Sequence, residues 1–553
     1  ALVRFWKPFI TINYFIGLAL MAVSMPFFNL GMSIALIWMA SVWFLDFWCD
    51  VIVRKDPWFK FRVYAKRPFA WLLQSIFILH LLGLLYTENF GYGLHDLRVK
   101  VPLLFLPLAL SGFPQISSLV LNRLLKVFVF ATSVAAFFCL MVYWGWVDRP
   151  FQDVREITVI FMSKISHIRL SLFATLSIAL AGYFVVKEGR SSWYWLLAIG
   201  VLLSLLVILQ SVTGIAILLI LAAVAAIWKV VSTSSKSLKI ILLGTFVLGI
   251  CCSSLYLLKC WKEYHFIAQT ELAELESGLN QFSANGEPYV HLVENRQLEN
   301  GFYVWRNIAW GELERCWNDR AVVEFSADDG RGQPIYGTLI RYMSSKGLKK
   351  DSLGVYALSE NDIRQIEHGV PTIKASSANA MRRRIDKILF EIDVYRNGGN
   401  PSGNSVTQRL EFWRTALHVV KQNPVIGVGT GDVNDAMQAS YTALNSGLIK
   451  ESRLRAHNQY ITLAVAFGLG GLAWIIIVLG YPIKLGYLRD FRFQAFYVVA
   501  LLSFLSEDTL ETQAGMSFFI YFICLFTLVY NPLNPEGDPE PLVREFPKNL
   551  PAK

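Results

Sequence analysis

The chain has 553 residues, of which 54% are hydrophobic and only 17% charged, with a mean hydropathy of +0.44. A soluble globular domain carries about 25% charged residues, so an ordinary cytosolic enzyme and a disordered chain are both excluded. The net charge of +10 does not come from the long polar stretch 259–457, where 24 basic and 24 acidic residues cancel; it belongs to the other 27 basic and 17 acidic residues. No basic arm or zinc-finger spacing accompanies that excess, so no nucleic-acid partner is expected.

In chain order, apolar runs fall near 8–26, 28–48, 69–86, 99–113, 124–147, 169–186, 193–210, 214–228, 240–258, 459–481, 493–505 and 515–531. About 20 apolar residues cross a bilayer, so these runs predict a mainly α, polytopic helical membrane protein with about 12 transmembrane helices. The runs 99–113 and 493–505 are short enough to be tilted or re-entrant. The expected domains are a membrane region 1–258, an insert 259–405, helices and a glycine-rich loop 406–458, membrane helices 459–531 and a tail 532–553.

Connections rich in Lys and Arg fix the expected orientation. Arg4 and Lys7, the cluster Arg54, Lys55, Lys60, Arg62, Lys66 and Arg67, then Lys187 with Arg190, Lys229 with Lys236 and Lys239, and Lys484 with Arg489 and Arg492 all fall on one side. By the positive-inside rule that side is cytoplasmic and holds both termini, and 259–457 faces outward. The first run, followed so soon by others, reads as a retained span rather than a cleaved signal peptide.

Cations on the outward side break the rule. Arg98 and Lys100 precede the fourth run, and Arg149, Arg155, Lys164 and Arg169 lie before or at the start of the sixth. Such residues are either snorkelling anchors or partners of a bound anion. Arg169 directly abuts apolar sequence, so its head is expected in a protein-lined cavity.

Within the polar stretch, 321–325 and 338–342 look strand-like, and 397–404 (NGGNPSGN) reads as a linker. Leu410, Trp413, Leu417 and Val420 repeat at helical spacing, and Pro424 ends that helix. The loop 427–432 (GVGTGD) then follows, with Asp432 placed to cap a helix over 433–443. Its glycines, Gly429 among them, either form a structural turn or offer amides to a phosphate. It lacks a Walker lysine and a βαβ setting, so a nucleotide site is not inferred.

The sharpest local feature is Ala456-His457-Asn458-Gln459-Tyr460, where the chain re-enters the membrane. His457 is a candidate general base, or simply the cap of the next span. Asn458 either orients the ring, binds sugar hydroxyls or starts the helix. Arg453 and Arg455 read as surface cations. Glu507, Asp508 and Glu511 lie in a turn between the last two spans, where they either bind the acceptor or pair with the arginines. Eight scattered His and no Cys cluster suggest no metal and no cofactor. Cys260 and Cys316 both lie in the outward stretch, which leaves a disulfide between them open.

Together, these segments resemble the O-antigen ligase and O-antigen polymerase-like membrane glycosyltransferases, a GT-C-like architecture. The resemblance rests on many spans with one large late loop, on Arg409-x-x-x-Trp413, Pro424 and the 427–432 loop, and on His457-Asn458 opening a span. Tyr86-Thr-Glu-Asn89, Ser166-His167-Ile-Arg169 and Ser506-Glu-Asp-Thr-Leu-Glu-Thr-Gln-Ala-Gly515 add to it. It implies transfer of a glycan from undecaprenyl diphosphate to lipid A–core, to another carrier-linked unit or to a protein hydroxyl. The reaction would take place at the periplasmic face of a bacterial inner membrane, without a metal. Carried over by motif, the catalytic residues are Arg169, Arg409 and His457. Arg98, Lys100, His167, Asn458, Gly429 and Glu507 are the substrate-binding candidates. Ser211-Val-Thr-Gly214 departs from the family, many of whose members carry Ser-Arg-Gly there. A transporter or a membrane scaffold is the non-enzymatic alternative, although paired, broken helices in matching halves are missing from the sequence.

Overall fold

The computed structural model describes all residues except 1, 113, 152, 161–162, 233–234, 375–379, 533–535 and 537–553. Each of the twelve expected spans falls on a helix. Among the described residues, six helices are long and apolar enough to cross a membrane by length and composition: Asn29–Ile52, Pro68–Tyr86, Ser118–Tyr143, His167–Glu188, Lys239–Tyr264 and Gln459–Lys484. Five shorter apolar helices accompany them: Pro8–Ser24, Trp193–Ile208, Val212–Ile227, Phe491–Ser506 and Gln513–Val529. The chain is thus a mainly α, polytopic membrane protein.

The chain divides into two compact units. One comprises Ala1–Ser232, Phe412–Ser446 and Arg453–Lys553; the other comprises Thr233–Glu411 and Gly447–Ser452. The first boundary lies earlier than 258, because helix Lys236–Tyr264 goes with the polar insert, and a later one falls inside helix Ser405–Gln422.

In the first unit, helices Leu2–Ser24 and Asn29–Cys49 form a hairpin, as do Pro68–Gly83 and Phe90–Ser111, and His167–Glu188 and Trp193–Ile208. Helix Gln513–Cys524 packs on Phe90–Ser111, and Phe491–Ser506 packs on His167–Glu188. Phe128, Phe173, Phe496, Phe518, Phe519 and Phe522 interlock at the centre, with ring centroids as close as 5.0 Å for Phe128 and Phe522. The short helix beginnings are set by polar caps. The side chains of Asn89, Ser166, Asn458 and Thr512 each accept a backbone N–H of the helix that follows. All four caps lie in the segments that carry the family resemblance, so those segments are, first of all, helix starts.

The second unit has its own apolar core, built from Val304, Ile308, Leu313, Trp317, Ile335, Leu339 and neighbours. An Asn300-Gly301 turn, with φ of 53° and 94°, joins the antiparallel pair Leu298–Glu299 and Phe302–Tyr303. Two expectations fail here. The run 338–342 lies inside helix Ile335–Ser345, because Ile335, Leu339, Tyr342 and Met343 recur at helical rather than alternating spacing. The run 321–325 is irregular, its Val322 and Val323 amides held by the Glu367 carboxylate. Cys260 and Cys316 are both buried and free, so no disulfide joins them.

Candidate functional site

The turn 507–512, between helices Phe491–Ser506 and Gln513–Cys524, gathers polar side chains from several elements of the first unit. His457 is one of them. It sits just before helix Gln459–Lys484 in a left-handed backbone conformation, φ 46°, which is costly for a side chain with a Cβ. Its amide donates to Asp508 Oδ2 at 3.1 Å, and Asn458, whose side chain caps the helix, donates to the Leu505 carbonyl. These bonds over-determine the strained residue. The imidazole stacks on Phe412, 5.5 Å between centroids, and its Nδ1 lies 3.6 Å from Glu507 Oε2. Glu507 is buried, whereas the His457 side chain is 31% exposed, so one edge of the ring is open to a reactant.

Arg169 approaches the same turn from helix His167–Glu188. Its Nη1 donates to Thr509 Oγ1 at 3.0 Å and its Nη2 to the Asp508 carbonyl at 3.2 Å. It is buried, and the carboxylates of Glu507 and Asp508 lie near enough to act on its charge. Asp508 accepts Thr462 Oγ1 at 2.7 Å. Burial pushes its carboxyl above the ordinary range, against the lowering effect of the Thr462 hydrogen bond.

Glu511 is the hub of a second network. Its Oε2 accepts Lys100 Nζ and Arg455 Nη1, both at 2.8 Å, and its Oε1 accepts Gln459 Nε2 at 3.0 Å. Lys100 also donates to both oxygens of Asp96 at 2.8 Å. Desolvation would raise the Glu511 carboxyl, but Lys100 and Arg455 outweigh it and hold the group well below the usual carboxylate range. A cavity with room for about one water lies beside the hub, lined by His80, Asp96, Thr430, Arg455, Thr462 and Glu511 among others.

The glycine-rich loop is a clasp. The amides of Val428 and Gly429 donate to the Val465 and Ala466 carbonyls, and those of Thr430 and Gly431 to the Gly83 carbonyl and Thr87 Oγ1. The first two carbonyls are left without their intrahelical partners where helix Gln459–Lys484 breaks at Gly468, φ 65° and ψ −171°. Four consecutive amides are therefore spent, and none of residues 428–431 offers one to a phosphate. A Cβ on Gly468 would lie 2.3 Å from the Val425 carbonyl oxygen. Gly468→Ala is expected to cost roughly 3 kcal/mol or more in stability, since the conformation is also essentially glycine-only. Gly480→Ala in the same helix meets nothing within 4 Å and should be neutral, so thermal unfolding of the pair separates strain from a general intolerance.

Residues 367–476 match the family described as O-Antigen ligase. Over those residues the chain is O-antigen ligase-like. In general terms the match supports a ligase- or polymerase-type membrane glycosyltransferase working on lipid-linked glycans. No curated protein matches the sequence. The O-antigen ligase-like segment contains Arg409, the clasp, Arg455, His457 and Asn458; Arg169, Lys100 and the 507–512 turn lie outside it.

Of the residues the sequence singled out, the structure brings Arg169, His457, Asn458 and Glu507 onto one turn. Arg409 belongs to the other unit, where its Nη1 donates to the Ser405 carbonyl. His167 opens its helix half-buried, its carbonyl accepting Ser171 Oγ, and Arg98 is exposed on helix Phe90–Ser111. Several expectations are corrected. Lys100 is fully buried and committed to two carboxylates, so it is a structural cation rather than a free substrate contact. Gly429 has its amide engaged by Ala466 and acts in packing. Asp432 does not cap helix Val433–Ala443; its carboxylate instead takes the Glu88 and Asn89 amides at 2.7 Å. The buried face of the 405–422 helix is Phe412, Thr415, Ala416 and Val419 with Val420, while Leu410 and Leu417 are exposed. Arg455, read as a surface cation, is held by Glu511 and by Asn434 Oδ1. Asp96 and Thr462 carried no sequence signal, because each looks like an isolated polar residue until its partner is known.

Proposed function

We propose that this protein is an O-antigen ligase of the bacterial inner membrane, its polar insert in the periplasm. It transfers a glycan from undecaprenyl diphosphate to lipid A–core oligosaccharide. The observation that carries the reading is the gathering, on one turn, of a buried guanidinium hydrogen-bonded to Thr509 and Asp508 and a partly exposed imidazole beside Glu507. The acceptor hydroxyl attacks the anomeric carbon; the new C–O bond forms as the sugar–phosphate bond breaks, with inversion. The hydroxyl proton passes to His457 Nε2, and Glu507 beside Nδ1 stabilises the imidazolium. The diphosphate departs with the bonding electrons, its charge met by Arg169, whose guanidinium fork suits phosphate oxygens. The donor is already activated, so neither a metal nor a nucleotide is required.

Lipopolysaccharide from a deletion strain tests the acceptor. Loss of long chains with intact lipid A–core and accumulated carrier-linked polymer is the expected result. A single repeat left on the core would mean a polymerase, and intact lipopolysaccharide with unglycosylated proteins would mean a protein O-oligosaccharyltransferase.

A further inference from the structure

Arg455 plays no part in the chemistry above, yet it is the most thoroughly oriented cation beside it. Its Nε donates to Asn434 Oδ1 and its Nη1 to Glu511 Oε2, both at 2.8 Å. The face of the guanidinium lies over the Tyr92 ring, 5.2 Å from the centroid. Two edges and one face are thus fixed, while Nη2 has no hydrogen-bond partner among the described residues. Tyr92 is itself placed by a helix cap, its N–H donating to the Asn89 side chain, and Asn89 also donates to Asp435, next to Asn434, at 2.8 Å.

Orienting a guanidinium in this way removes the rotamer entropy that a long side chain otherwise loses on binding. Arg455 also stands two residues before His457 and keeps a side-chain exposure of 17%, against 0% for Lys100. Of the two cations on Glu511, only Arg455 is therefore within reach of a ligand. A planar donor group held at two edges and presenting a third is suited to a tetrahedral oxyanion.

We propose that Arg455 is a further binding residue of the active site, its Nη2 edge taking a phosphate oxygen of the lipid diphosphate donor, with Glu511 and Asn434 as its positioning residues. This assignment rests on the proposed transferase reading. The test uses the full chain in lipid nanodiscs and binding of undecaprenyl diphosphate, with donor KM and kcat measured alongside. A lost charge-assisted bond predicts that R455A binds the lipid roughly ten- to hundredfold more weakly and raises donor KM in step. R455K retains the charge toward Glu511 and hence the fold, but loses the fork, so it should fall in between. Unchanged binding by folded R455K and R455A would overturn the assignment, as would a rise confined to the acceptor KM. Wild-type protein that neither binds the diphosphate nor transfers a glycan would instead overturn the transferase reading.

Discussion

Replacing His457 is expected to lower the rate of glycan transfer by a factor of roughly 10²–10⁴, the usual contribution of a positioned general base. The choice of substitution matters because the residue has φ 46°. Alanine would add backbone strain to the loss of the base, whereas asparagine tolerates the left-handed region. His457→Asn should therefore keep its amide bond to Asp508 and its melting temperature, and still lose the activity. Glu507→Gln is expected to be milder, about tenfold in kcat with KM nearly unchanged, since it removes only the charge facing the imidazolium. The measurement is turnover in vesicles with a lipid-linked donor. A His457→Asn enzyme within a fewfold of wild type would remove His457 from the mechanism.

Lys100 carries the largest expected effect on stability. Lys100→Met leaves Asp96 and Glu511 as buried carboxylates without their shared cation, and breaking such a pair costs about 3–5 kcal/mol. The defect should appear as loss of folded protein, not as a raised KM, which separates this lysine from Arg455. The pH dependence follows from Glu511, whose folded-state titration lies below its unfolded value. The stability it contributes is fully present above the ordinary carboxylate range and is lost as pH falls through the depressed folded value. Removing Lys100 raises that folded value, so acid unfolding of the variant should begin at higher pH. Lys100→Met protein with wild-type yield and acid tolerance would show that the network is dispensable.

The spans were legible because lipid demands long apolar runs, and a run is a local property of sequence. The helix starts were half legible: Asn458 was recognised as a possible start, and Asn89, Ser166 and Thr512 lay inside segments picked out for other reasons. The misreadings share one cause. Lys100 looked like an available cation because its second carboxylate, Glu511, lies 411 positions later. Asp432 sat where a cap belongs, yet found stronger partners in two amides near residue 88, more than 340 positions away. The run 338–342 looks strand-like by itself, while the packing of Leu339 and Met343 obeys helical spacing. Periodicity reports what one segment does to its own faces; it says nothing about a partner from another segment.

The distance in sequence between Lys100 and Glu511 also bears on how the protein is made. Emerging from the ribosome first, Lys100 has only Asp96, one helical turn away, to neutralise it during synthesis of the intervening chain. The hub closes only once the final hairpin of helices has been inserted, so any nascent chain cut short before that point carries an incompletely paired lysine into the bilayer.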